Sequence, residues 1–164
     1  MNLLTINIGI SHCLLGAQVR YDGKGKRSSI CSSFLANDYN LLPICPEVEA
    51  GLSIPRPAVE LVQYPHEIKA LGRDDNLVDV TSTLRQFCAT QVPQLTDLSG
   101  FILTPRSPSC GLNTVPIKSP HGQLLNANGR GIFAELLVDH YPSLPVIEEP
   151  ELAKKKHFAC SNYR

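Results

Sequence analysis

The chain has 164 residues, of which 43% are hydrophobic and 18% are charged, a balance typical of a globular protein. Its 15 basic and 15 acidic residues cancel, which argues against binding to duplex nucleic acid or to an anionic membrane surface. A small or neutral substrate suits this balance better. The length predicts one domain over residues 1–164.

Neither export nor membrane insertion is indicated by the sequence. No stretch approaches the ~20 consecutive apolar residues of a membrane span. The N-terminus lacks the basic segment and the small-residue cleavage site of a signal peptide, so we expect a cytoplasmic protein. In that compartment the six cysteines suggest metal binding or catalysis more than a disulfide framework.

One pattern occurs three times in the chain: a short apolar run, typical of a buried strand, leads to a cysteine beside Pro, Gly or Ser. The first predicted strand, Leu3–Ser11, precedes Cys13, and the second, Asn40–Cys45, ends on its cysteine. The third, Phe101–Thr104, precedes Cys110. Because ligands of open α/β sheets bind beyond the carboxyl ends of the strands, these three thiols are predicted to converge.

The remaining periodic segments alternate with these strands. Helices are predicted at Ser29–Asn37, Val80–Gln91 (with Thr81 or Ser82 as its cap), Gly131–Tyr141 and Pro150–Phe158, and a fourth short strand at Leu144–Ile147. The alternation predicts an α/β fold: a single compact Rossmann-like domain whose mostly parallel sheet has helices on both faces. The cysteine loops then lie at the C-terminal ends of the strands.

Three other segments are interpreted as surface. Tyr64–Asp79 is predicted to be an excursion that can form a hairpin. Gly111–Arg130, rich in Asn, Pro, Ser and Gly, is predicted to be a long loop that can serve as a lid. The basic residues Lys24, Lys26 and Arg27 are interpreted as a solvated loop face.

Three further cysteines do not share the strand-end pattern. Cys31 is interpreted as structural or incidental, and Cys160 belongs to the C-terminal tail. Cys88 lies on the apolar stripe of a predicted helix, where a thiol behaves as a small hydrophobic side chain.

Three convergent thiolates are compatible with two kinds of metal centre. They can hold a tetrahedral zinc ion, with His12 or water as the fourth ligand. They can also hold three corners of a 4Fe–4S cluster and leave one iron without a protein ligand. The spacing leaves both open, because the Cys-x-x-Cys pairs common to both site types are absent here.

Two residues beside the cysteines are candidate catalytic groups. Glu47, two residues after Cys45, can act as a general base or acid near a metal, or can be a helix-capping or salt-bridged structural glutamate. Ser107 can donate a hydrogen bond into the same site, or can stabilise a turn in a proline-rich loop.

Three residues are candidate substrate-binding groups: Ser11, Arg56 and Ser109. Arg56 lies between two prolines, which hold its backbone extended. It can orient a substrate, or it can form an ion pair with Glu47, Glu49 or Glu60.

The motifs SHCLLG and VRYDG, then CPEVEAGL with PRP, and then SPSCG resemble those of the thiouracil desulfidase family. The resemblance covers Ile10 to about Gly111 and continues more weakly to the end. It implies a compact α/β domain in which Cys13, Cys45 and Cys110 hold an oxygen-sensitive 4Fe–4S cluster with one open iron. The cluster would serve as a Lewis acid and sulfur acceptor for a small-molecule thiolated nucleobase such as 2-thiouracil, with no net redox change.

The resemblance also implies roles for the two candidate catalytic groups. Glu47 matches the glutamate that handles proton transfers, and Ser107 matches a serine that assists in the same pocket. The sequence therefore favours an iron–sulfur-dependent desulfidase. The alternative is a non-catalytic zinc-binding module with a three-cysteine site, and the oligomeric state is left open.

Overall fold

The protein folds into two β-sheets with helices packed against them, and its structure is a computed structural model that describes residues 6–35 and 38–154. Its strands are β1 (Asn7–Ser11), β2 (Asn40–Ile44), β3 (Val59–Gln63), β4 (Ile68–Gly72), β5 (Gly100–Leu103), β6 (Val115–Lys118), β7 (Leu124–Gly129) and β8 (Val146–Glu148). Its α-helices include α1 (Pro46–Glu49), α2 (Thr81–Gln91) and α3 (Ile132–His140). Shorter turns of helix are the 3₁₀ segments His12–Leu15 and Val92–Gln94 and the π-helix Ile30–Leu35.

Sheet A is entirely parallel and has the strand order β2-β1-β5-β8. Ile10 in the central strand β1 is in register with Pro43 on one side and with Ile102 on the other. The next strand of sheet A in the sequence, β2, therefore pairs with one side of β1, and the one after it, β5, pairs with the other side. Such a reversal is the switch point at which α/β proteins place their ligands. The predicted α/β fold with a parallel sheet is confirmed.

Helices cover both faces of sheet A, as predicted. On one face, Phe101 of β5 belongs to a buried apolar cluster with Leu84 of α2 and Phe133 of α3. On the other face, Ile102 packs in a second cluster with Cys31 of the π-helix. Neighbouring residues of β5 thus point to opposite cores, as the alternation of a strand requires.

Sheet B is mixed, with the order β4-β3-β6-β7, and was not predicted. The strands β3 and β4 form one antiparallel hairpin and β6 and β7 another, while β3 and β6 pair in parallel. The prediction of a long loop at Gly111–Arg130 is wrong, because it contains β6 and β7. The first five residues of β7 are exposed, so this strand lacks the apolar alternation by which strands are recognised. The hairpin proposed for Tyr64–Asp79 is confirmed in part, since β4 lies there.

Most other predicted boundaries agree with the structure to within two residues. The main local correction concerns α2: its first N–H, from Thr81, donates to Asp79 Oδ1 at 3.0 Å, and neither Thr81 nor Ser82 caps the helix. Residues 149–154 are helical, as predicted. The rest of that predicted helix, the start of the first predicted strand and Cys160 lie outside the described residues.

No helix in the described part of the chain has the length and apolar character needed to cross a membrane.

Candidate functional site

The three strand-end cysteines line one cavity of about 430 Å³ at the carboxyl edge of sheet A. Cys13 follows β1, Cys45 follows β2 directly, and Cys110 lies in the loop beyond β5. Because these three strands are parallel neighbours, their carboxyl ends meet at one edge. The predicted convergence of the thiols is therefore present in the structure.

Cys13 is held in a 3₁₀ turn whose backbone is closed by two hydrogen bonds. The Cys13 carbonyl accepts from Gly16 N at 3.1 Å and from Lys26 N at 2.9 Å. Gly16 has a φ of 93°, a left-handed conformation that glycine adopts without the steric cost of a Cβ. The glycine in the SHCLLG motif is thus explained by the turn that presents Cys13 to the cavity.

Cys45 is held at the start of the four-residue helix α1. Pro46 occupies the first helical position, where a missing N–H costs nothing. The Cys45 N–H donates to Glu49 Oε1 at 3.0 Å, which closes the turn. The same short helix buries Glu47, so one turn of chain delivers both a thiol and a carboxylate to the cavity.

Cys110 is held by a loop that packs against the first turn of α3. The N–H groups of Ile132 and Phe133 donate to the carbonyls of Pro108 and Ser109 at 3.0 and 2.9 Å. A Cβ added to Gly131 would lie 2.5 Å from the Ser109 backbone, so glycine permits this close approach. Backbone hydrogen bonds and close packing therefore join the cysteine loop to the start of α3.

Ser107 has the turn-stabilising role that its sequence context suggested, and it also lines the cavity. Its Oγ accepts hydrogen bonds from Cys110 N at 3.0 Å and from Ser109 N at 3.2 Å. A hydroxyl that accepts two bonds still has its own proton to donate. The two roles considered for Ser107 are therefore compatible.

Glu47 forms a buried network with Arg56 and Ser109. Glu47 Oε2 accepts from Arg56 Nε at 2.7 Å, and Oε1 accepts from the Ser109 hydroxyl at 2.8 Å. The two terminal nitrogens of Arg56 donate to the carbonyls of Ser53 and Val19 at 3.1 and 2.9 Å. The ion pair considered for Arg56 is present, and all three nitrogens of the Arg56 guanidinium donate to protein groups.

Ser11 joins the ends of β1 and β5. Its Oγ accepts from Thr104 N at 3.0 Å, and the Ser11 side chain is 2% exposed. A hydrogen bond from the Ser11 side chain also opposes the rise that burial causes in the pKa of the Cys110 thiol. This residue, a candidate for substrate binding, thus contacts the strand junction and one of the thiols.

Burial raises the pKa of all three cavity cysteines above the ordinary thiol value. For Cys13, a hydrogen bond from Thr104 and the positive charges of Lys26 and Arg20 oppose that rise in pKa. Metal binding replaces the thiol proton, so these neighbours favour the form that a metal ligand needs.

Basic side chains surround the cavity, although the chain as a whole is neutral. In the described part of the chain the cavity lining includes Arg20, Lys26, Arg56, Arg73 and Arg106, with Glu47 as its carboxylate. The interpretation of Lys26 as only a solvated residue is incomplete, since it is exposed and also lines the cavity. The motif VRYDG could have pointed to Arg20, whereas no sequence signal singled out Arg73 or Arg106.

The cysteines without the strand-end pattern lie elsewhere in the structure. Cys31 and Cys88 are both 0% exposed and belong to the two apolar clusters. Burial raises the pKa of Cys88 to about 12, so this thiol stays protonated. Their interpretation as structural residues agrees with these positions.

No three His, Cys, Asp or Glu side chains in residues 6–35 and 38–154 are arranged so that they could hold one metal ion.

The chain is similar to known proteins over most of its length. The family model of 2-thiouracil desulfurase matches residues 8–149. Among solved structures, a 4Fe–4S-dependent thiouracil desulfidase, TudS, is 29% identical, with a TM-score of 0.70. That match covers 94% of this chain and 99% of the TudS chain. No curated protein matches the chain.

Proposed function

Because the chain belongs to the 2-thiouracil desulfurase family, we propose that it is an iron–sulfur-dependent desulfidase that exchanges the sulfur of a small thiolated nucleobase for oxygen. The substrate class is represented by 2-thiouracil, and the products are the oxo base and sulfide. The observation that carries the proposal is one cavity that brings together Cys13, Cys45 and Cys110 with Glu47.

The donor set of the cavity fits an iron–sulfur cluster. Thiolates are the usual ligands of such clusters, and the three motif cysteines would hold three irons of a 4Fe–4S cluster. When bound, the cluster supplies a Lewis acid and a sulfur acceptor at its open iron.

Glu47 is proposed to accept the proton of the attacking water. Its side chain is 12% exposed and lines the cavity, so it can reach a water there. The Arg56 guanidinium and the Ser109 hydroxyl each bind one carboxylate oxygen and fix the orientation of the group. Each oxygen retains a lone pair for a further proton.

The three candidate substrate-binding residues are now proposed to act mainly by positioning. Arg56 and Ser109 orient Glu47, and Ser11 joins two of the strand ends that carry the thiols. Ser107 keeps its proposed role in the pocket, because its hydroxyl proton can be donated to the substrate.

The deciding experiment is anaerobic purification followed by iron and sulfide analysis and a 2-thiouracil assay on the same sample. We expect about four irons per chain and uracil formation with release of sulfide. The cluster is expected to be lost in air. In Cys45→Ala, iron and activity should both fall, whereas the matched variant Cys88→Ala removes a thiol outside the cavity and should keep both.

Other results would separate the alternatives. A cluster without uracil formation would retain the iron–sulfur assignment and reject 2-thiouracil as substrate. A protein that takes up about one zinc and no iron after reconstitution would instead favour the zinc-binding module.

A further inference from the structure

Glu148, at the end of β8, is a buried carboxylate that contacts the chain just after Cys110. It is 6% exposed and does not line the cavity. Its Oε1 accepts hydrogen bonds from Leu112 N and from the Thr114 hydroxyl, each at 2.7 Å, and a longer one from Asn113 N at 3.3 Å. One oxygen thus gathers three donors from consecutive residues.

A second contact continues from Thr114 back to the other end of the cysteine loop. The Arg106 N–H donates to Thr114 Oγ1 at 2.7 Å. Arg106 has a φ of 63°, a left-handed conformation that is uncommon outside glycine and is maintained by surrounding contacts. The chain of contacts from Glu148 through Thr114 to Arg106 closes residues 106–114 into a loop.

The interior of this loop is packed as well. The Gly111 N–H donates to the Ser107 carbonyl at 2.8 Å, and a Cβ on Gly111 would lie 2.4 Å from Val115 Cγ2. Cys110 lies inside the loop and is 5% exposed. A change in the loop closure would therefore move this thiol.

We propose that Glu148 is a positioning residue that holds residues 106–114 so that the Cys110 thiol faces the other two cysteines. This inference rests on the proposed function for its purpose, but the placement of Cys110 can be tested without it. If the Glu148 carboxylate is removed, the buried N–H of Leu112 and the partly buried Asn113 N–H and Thr114 hydroxyl lose their shared acceptor. Local opening of the loop is the least costly response, because it exposes those groups to water.

The experiment measures how fast each cysteine of the reduced, metal-free, full-length protein is alkylated by iodoacetamide, read by peptide mass spectrometry. In Glu148→Ala we expect Cys110 to react about tenfold faster than in the wild-type protein, since the lost hydrogen bonds favour local opening. Cys88, which is 0% exposed and lies on helix α2 outside residues 106–114, reports global unfolding and should keep its rate.

Two variants serve as matched controls. Glu148→Gln keeps a carbonyl oxygen at the same place and should restore the slow alkylation of Cys110. Glu149→Ala removes the adjacent carboxylate, which accepts from the Ser28 hydroxyl at 2.6 Å instead, and should leave Cys110 protected.

An unchanged Cys110 rate in Glu148→Ala, or an equal rise for Cys110 and Cys88, would overturn the proposal. If Glu148→Ala does not fold, Thr114→Val replaces it, because this near-isosteric change removes both hydrogen bonds of the Thr114 hydroxyl and predicts the same selective increase. A wild-type protein that takes up no iron would reject the proposed function and leave the alkylation result unaffected.

Discussion

At the scale of single residues, the contacts that give Glu47 a structural role are the same ones on which its proposed catalytic role depends. The ion pair with Arg56 and the hydrogen bond from Ser109 leave the carboxylate at the cavity wall with a fixed orientation. A carboxylate that is held in one orientation at the wall of a cavity can act as a general base on a water bound there. The structural partners of Glu47 thus prepare it for the proposed proton transfer.

We expect Glu47→Gln to keep the cluster and to lower kcat by about 10²–10⁴-fold, because the amide preserves the shape of the side chain and cannot accept the proton. The measurement is turnover of 2-thiouracil together with iron content. The matched control is Glu60→Gln, which removes a carboxylate paired with Lys118 at 2.6 Å outside the cavity lining. Full turnover by a cluster-loaded Glu47→Gln enzyme would show that Glu47 is not the base.

At the scale of elements, the first N–H of helix α2 is bonded by Asp79, two residues earlier in the chain, not by either of the predicted caps, Thr81 and Ser82. The Thr81 hydroxyl accepts from Ala70 N at 2.9 Å and so anchors the helix to β4. The carboxylate of Asp79 accepts the Thr81 N–H. Hydrogen bonding by the Thr81 side chain, together with that N–H and the charge of Lys69, lowers the pKa of Asp79.

A carboxyl whose pKa is lower in the folded state stabilises the fold above its ordinary pKa, and this stabilisation is lost as the pH falls through the lowered value. Because the Asp79 side chain is 41% exposed, solvent screens its interactions, and we expect Asp79→Asn to reduce the free energy of unfolding at pH 7 by no more than about 0.5 kcal/mol. The difference from the wild-type protein should shrink as the pH falls below the ordinary value of 3.8 and through the lowered pKa of Asp79. Urea denaturation over a pH series measures it, with Asp74→Asn, an exposed carboxylate, as control. A difference that stays constant with pH would contradict this account.

At the scale of the whole molecule, one apolar cluster joins the two sheets. It contains Phe101 from sheet A, Leu61 and Ile117 from sheet B, and Phe133 from α3. The Phe101 and Phe133 rings meet edge to face with their centroids 5.4 Å apart. Because both sheets share this core, we propose that the chain is one domain and unfolds as a unit.

We expect the metal-free protein to unfold in urea in a single transition, and Phe133→Ala to lower the free energy of unfolding by about 3–5 kcal/mol. Phe133 is 0% exposed, so truncation leaves a cavity in the shared core. Leu77→Ala is the control, since Leu77 is 88% exposed and should change stability by no more than about 0.5 kcal/mol. Two separate transitions would contradict the single domain.

The sequence by itself determined the features that depend on local patterns. Apolar runs predicted the strands of sheet A, and the punctuation after them placed Cys13, Cys45 and Cys110 at strand ends. Parallel strands bring such ends to one edge, so the shared cavity could be anticipated before any contact was known. The motifs also predicted the family that the comparison confirmed. The roles of individual site residues stay predictions.

Only the tertiary structure decided the features that depend on distant partners. Strand β7 has no buried apolar face, and it is held in the sheet by backbone pairing with β6. A sequence pattern does not reveal such pairing. Glu148 and Arg73 reach the cysteine loop and the cavity through the folding of remote segments, so their local sequence carries no sign of it. The alternation of apolar and polar residues in the sequence indicates which side of a strand is buried. It does not indicate which distant segments come into contact, because those contacts form only when the chain folds.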